Sequence, residues 1–175
     1  LENDKPILFA SFALQRSSDI LWLLREVYIK NPEFHKIPIY LDSPMACKAQ
    51  SLMNSNREFW GKQLFDRDKE LGNIFEWEVI NYIEDHKESE SLNKKHKMII
   101  ISSSGMLNNG RVLMHLEDVL KQKGSRVVLS GYQAEGTLGR RLLDTQCKSI
   151  SVNRRPVPIR ATIQQINLSS HGDKN

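Results

Sequence analysis

The chain has 175 residues, 39% of them hydrophobic, with two cysteines and a formal charge of +4. That length supports one domain with its own core, without disulfide or metal staples, and the composition excludes a largely disordered chain or a disulfide scaffold. No apolar run approaches a membrane span, and a pI near 9.1 permits an anionic partner without demanding one.

"PILFASFAL" is a strand candidate. "SSDILWLLREVYIK" follows with Ile20, Leu21, Leu24, Val27 and Tyr28 at helical spacing behind serines suited to an N-cap. "IPIYLD" reads as a second strand and "SPMACKAQSLMNSN" as a helix with Pro44 in its first turn. "NREFWGKQLFDRDKELGN" reads as one or two helical pieces punctuated by Gly61 and Gly72. "FEWEVINYI" is expected as a strand and "EDHKESESLNKK" as a helix. In "HKMIIISSSGM" the run from Met98 to Ile101 lacks alternation, which suits a parallel strand covered on both faces. "GRVLMHLEDVLKQKG" is a helix stopped at Gly124, "SRVVLSGY" a strand and "EGTLGRRLLDTQ" a helix. "KSISVNRRPVPIRATIQQI" reads as short strands around breaks at Pro156 and Pro158.

Strands alternating with helices predict an α/β fold, a three-layer α/β/α arrangement around a mostly parallel central sheet. In such sheets ligands meet the loops at the carboxyl ends of strands. Those loops are "LQRSS", "DSPM", "SSSGM" and "GYQAEGT". "IISSSGMLNNGRVL" offers hydroxyls and free backbone N–H groups, either as a polar turn capping a helix or as a cradle for an oxyanion or phosphate. In "SGYQAEGTLGRR", Gly136 and Gly139 permit close backbone approach, Gln133 and Thr137 supply hydrogen bonds, and Arg140 and Arg141 supply charge suited to phosphates. Close helix–sheet packing with the arginines in solvent explains the same pattern. Asp42 reads first as the cap of the helix after it, and Arg16 equally as a surface arginine or an anion contact. Neither a P-loop nor a GxSxG nucleophile elbow is present.

Cys47 and Cys147 lack CxxC spacing and are expected to be reduced structural residues. His115 sits on an amphipathic helix, where a partner carboxylate or the core edge is the ordinary environment. His171 differs, because Gly172 and Asp173 follow it in "INLSSHGDKN", and an imidazole beside a carboxylate is suited to proton transfer near neutral pH. No HxH, HxxxH or HExxH spacing exists, so no metal ligands are assigned within the chain. Leu1 is followed at once by charges, so no signal peptide and a cytoplasmic location are expected.

Taken in order, "SFALQRSSDIL", "IPIYLDSPMA", "MIIISSSGMLNNGRVLMHL", "VVLSGYQAEGTLGRRLL", "VPIRATI" and "SSHGD" resemble the β-CASP region of metallo-β-lactamase-fold RNA-processing nucleases, the relatives of ribonuclease J and of the pre-mRNA 3′-end cleavage endonuclease. The resemblance covers the whole chain and is weakest between Asn54 and Lys97. It implies a β-CASP domain over residues 1–166, with 167–175 starting the return into a metallo-β-lactamase domain. The upstream HxHxDH motif and the last zinc-binding His of that domain are absent here. "SSHGD" is similar to the family's SxHxD motif, which makes His171 the catalytic candidate.

The resemblance also implies that Ser102, Ser104, Gly105 and Met106 of the SxSGM stretch and Gly131, Tyr132, Gly136, Thr137, Gly139 and Arg140 of the GYxxxGTxGR stretch hold the RNA backbone, with Gln133 and Arg16 beside them. Arg16 matches the Arg of an FAxGR element, although Gln15 replaces its Gly, and no Gly-Phe precedes SxHxD. The function implied is the RNA-binding part of a zinc-dependent ribonuclease. Two zinc ions belong to the full-length protein, single-stranded RNA is the partner, a homodimer is expected, and this chain alone is expected to be inactive. Rival readings are a non-catalytic RNA-binding or scaffolding subunit of the same fold, a DNA-directed nuclease of the family, and a stand-alone domain binding a small phosphorylated ligand.

Overall fold

A computed structural model describes residues 4–93 and 95–168. The elements run β1 (Ile7–Ala10), α1 (Arg16–Lys30), β2 (Ile39–Asp42), α2 (Pro44–Ser55), α3 (Lys62–Leu71), β3 (Ile80–Tyr82), α4 (His86–Leu92), β4 (Ile99–Ser102), α5 (Val112–Leu120), β5 (Arg126–Leu129), α6 (Leu138–Leu142), β6 (Ser149–Val152), β7 (Arg155–Pro158) and β8 (Thr162–Gln165). Six strands form one sheet in the order β3-β2-β4-β1-β5-β8, every neighbouring pair parallel. β6 and β7 make a separate antiparallel ribbon.

The pleat sends alternate side chains to opposite faces, and each face has its own core. Leu8, Ala10, Ile100, Val127 and Leu129 pack with Val112, Leu116, Val119 and Leu120 of α5. Ile39, Leu41, Ile99 and Ile101 pack with Ile20, Leu21 and Tyr28 of α1 and with Ala46 and Cys47 of α2. This two-sided burial explains the unbroken apolar run of β4 and gives the three layers expected from the strand–helix alternation.

Several local expectations are corrected. The first helix begins at Arg16 behind Gln15, which makes no side-chain cap; Ser17 and Ser18 lie inside it. Ser17 Oγ donates to Phe12 O at 3.0 Å and Ser18 Oγ to Gln50 Oε1 at 2.8 Å, so both hydroxyls are spent on tertiary contacts. Of "FEWEVINYI" only Ile80–Tyr82 pairs as strand. Phe75 and Trp77 instead plug the α1 side of the core, with the Trp77 ring edge-on to Tyr28 at 4.8 Å. The helix containing His115 ends at Leu120, before Gly124, and Pro156 and Pro158 lie within β7. Prolines are tolerated there because a two-stranded ribbon leaves an edge without ladder bonds.

All six sheet strands end at one edge, because all run the same way. The connections leaving β1 and β2 lead to α1 and α2 on one face, while those leaving β4 and β5 lead to α5 and α6 on the other. β1 lies between β4 and β5. Its loop therefore diverges from both neighbours and opens a crevice, the position where ligands bind in open α/β sheets.

Candidate functional site

Beneath the crevice lies a buried polar centre. Asp42, the last residue of β2, is fully buried. Its Oδ2 accepts from Ser89 Oγ and His115 Nε2, each at 2.5 Å, and its Oδ1 accepts from Arg111 Nη1 at 2.8 Å. Arg111 also donates to the carbonyls of Ile83 at 3.3 Å and Glu84 at 2.6 Å, and His115 Nδ1 lies 2.9 Å from Asn93 Oδ1. Burial pushes the Asp42 carboxyl up, but the bonds from His115, Ser89 and Arg111, with the His115 charge, together hold it below its ordinary range. The expectation that Asp42 caps α2 is thereby corrected. Ser43 is the cap, its Oγ accepting from Ala46 N at 3.4 Å. A carboxylate one residue too early for the helix turns inward and becomes the tie between β2, α4 and α5.

The serine loop after β4 is closed on itself. Ser102 is buried and donates to Asp42 O at 2.7 Å. Ser104 Oγ accepts from Asn108 N at 3.1 Å and Asn109 N at 3.4 Å, and donates to Asn109 O at 3.2 Å. Gly110 has φ +89°, and a Cβ there would fall 2.3 Å from Ser103 O, so only glycine closes this turn. Gly105 lies against the backbone and ring of Phe12, where a Cβ would meet the Phe12 nitrogen at 3.0 Å and its ring at 3.1 Å.

The loop after β5 is stitched to it. Gln133, 1% exposed, donates through Nε2 to Gly105 O and to Gly131 O, both at 3.1 Å. Gly139 N–H donates to Met106 O at 3.1 Å, and a Cβ on Gly139 would come 1.8 Å from Gln133 Oε1. Thr137 caps α6, accepting from Arg140 N at 3.2 Å. Gly136, at φ +81°, has open space around it, and Tyr132, Arg140 and Arg141 are exposed.

The structure therefore brings Ser102, Ser104, Gly105, Gly131, Gln133 and Thr137 into one pair of stitched loops, with Gly136 and Arg140 at the outer lip. Arg16 stands on the α1 side. It is 6% exposed, its Nη1 lies 3.7 Å from Asp19 Oδ2, and that nitrogen has no hydrogen-bond partner among the described residues. Burial raises the Asp19 carboxyl, partly offset by Arg16. Arg16, Gln15 and Trp22 line a cleft of about 620 Å³ that is bounded by Asn167 and Leu168. His171 lies outside the described residues, as does the rest of the SxHxD stretch.

The partner carboxylate expected for His115 is Asp42, which sequence reasoning did not name, and it missed Arg111. Nothing local signals them, because Arg111 and His115 are 69 and 73 residues away from Asp42. Chemically, the loops are built to hold rather than to attack, since the hydroxyls of Ser102 and Ser104 donate to backbone carbonyls. What they present outward is guanidinium charge, open glycine backbone and the exposed ring of Tyr132.

Comparison with known proteins follows the same lines. A family model described as the Beta-Casp domain matches residues 18–142. An RNase J-like protein of Methanocaldococcus jannaschii is 34% identical over 100% of this chain and 39% of its own length. A ribonuclease of Thermus thermophilus is 29% identical over 100% of this chain and 40% of its own length. The cleavage and polyadenylation specificity factor subunit 3 of Dictyostelium discoideum is 28% identical over 99% of the chain and 22% of its own length. The chain thus spans two-fifths or less of each of these relatives.

Proposed function

The chain belongs to the Beta-Casp domain family, and from that premise we infer that it is the RNA-gripping part of a ribonuclease that hydrolyses phosphodiester bonds during RNA processing. The observation that carries this reading is the pair of stitched loops at the crevice, with Arg140 and Arg141 exposed at the lip. Two of the relatives above bear ribonuclease names, and the matches run the length of this chain.

The grip is electrostatic and indifferent to base sequence. Arginine forks pair with phosphate oxygens, and the open backbone at Gly136 admits the strand closely. Single-stranded RNA suits the exposed apolar side chains along the same edge. Zinc belongs to the proposal for a longer protein, where it would supply an activated water. Among the described residues no group of three or more His, Cys, Asp or Glu side chains lies together, so they do not fit a metal by themselves. His171 is proposed to meet the scissile phosphate, and the chain on its own is proposed to bind without cutting. No helix of the described residues is long and apolar enough to cross a membrane.

The test is titration of a labelled single-stranded RNA with this chain at rising salt. Binding whose logarithm falls linearly with the logarithm of salt, weakened by Arg140→Ala, is the expected result. Binding that ignores both salt and Arg140→Ala sinks the reading.

A further inference from the structure

A second cleft, of about 470 Å³, opens at the same edge between the loops after β1, β2 and β4. Its apolar walls include Phe12, Pro44 and Met45, and its polar lining includes Asp42, Asn109 and Arg111. That volume falls within the range of about 300–1,000 Å³ typical of small-molecule sites. Phe12 and Met45 are 42% and 64% exposed, so a flat ring and a thioether face solvent where the core does not use them. The Phe12 ring lies over Gly105, where a Cβ would come 3.1 Å from it. Ser103 Oγ is buried and has no hydrogen-bond partner among the described residues. The Arg111 guanidinium is already neutralised by Asp42 at 2.8 Å, so the cleft offers a planar apolar wall with hydroxyl and amide groups, not a bare charge.

We propose that this cleft receives one nucleobase of the bound strand, stacked on Phe12 and flanked by Met45. The proposal rests on the RNA reading above. The apolar cleft and the cationic lip at Arg140 share the β4–α5 loop as a common wall, and a nucleic-acid strand likewise alternates apolar planes with anionic links. Stacking is tolerant of base identity, because every base has a π-face, so the pocket anchors a nucleotide without dictating sequence.

The experiment is a set of fluorescence-anisotropy titrations of this chain with a short single-stranded RNA in which each base in turn is deleted to leave ribose. One position is expected to lose affinity about ten-fold, the scale of one stacked base. At that position 2-aminopurine fluorescence is quenched on binding, and Phe12→Ala removes most of both effects. Should Phe12→Ala fail to fold, Met45→Ala on the surface of α2 reports on the same position, and the abasic series with the unaltered chain needs no variant at all. Equal affinity at every abasic position, with salt-dependent binding intact, overturns the base pocket and leaves the RNA reading standing. No binding to any RNA at low salt overturns the RNA reading, and this inference with it.

Discussion

Asp42→Asn is the most informative single change. It keeps the shape of the side chain but removes the charge that Arg111, His115 and Ser89 converge upon. With no exposed surface on Asp42, water does not replace it. Breaking one side of a buried ion pair costs about 3–5 kcal/mol, and for a domain of this size that lowers the melting temperature by roughly 10 °C. Circular-dichroism melts of both proteins across a pH series measure it. The pH dependence has a fixed sign. Because folding lowers the Asp42 carboxyl, its stabilisation is present in full above the unfolded carboxylate range near pH 4 and is lost as pH falls through the folded value. The gap between wild type and Asp42→Asn is therefore expected to be present at pH 7 and to close as pH falls below about 4. A gap under 1 kcal/mol at pH 7, or one that stays the same into acid, refutes the ion-pair reasoning.

Gly139→Ala places a methyl where Gln133 Oε1 now lies, at 1.8 Å, and is expected to cost about 1–3 kcal/mol by urea unfolding. Adding Gln133→Ala to it relieves the clash, so the double variant is expected to be more stable than the sum of the two single losses. Arg140→Ala leaves stability unchanged within about 0.5 kcal/mol, since the side chain is exposed, yet lowers the salt slope of RNA binding by about 0.7, the contribution of one single-strand phosphate contact. Ile100→Ala, at 1% exposure in β4, is expected to cost about 2–5 kcal/mol in the same unfolding assay.

The sheet was legible because its chemistry is local. Ile99 to Ile101 are apolar on both faces, and Ile20, Leu21 and Tyr28 recur at helical spacing, so short windows carry the signal. The loops of the site were legible for the same reason, as serines and glycines at strand ends. Asp42 was misread because an acid ahead of Ser-Pro has the local pattern of a cap, and the residues that claim it come from segments far along the chain. Trp77 and Phe75 were misread because aromatic residues are good strand formers and equally good plugs, and their distant neighbours, Tyr28 for Trp77 and Trp60 for Phe75, decide between the two. The inward role of Gln133 had no signal beyond the glycines it packs against.

The stitch between the two loops has a thermodynamic consequence for any ligand. Gln133 and the Gly139–Met106 bond make the β4–α5 and β5–α6 loops one lip, already set in the absence of a strand. Two independent loops each lose conformational freedom when a ligand orders them, at about 0.5–1.5 kcal/mol for every side chain that is fixed. A lip ordered during folding has met that entropy cost beforehand, so under the proposed RNA reading the attraction between arginine and phosphate would not be consumed in ordering the loops.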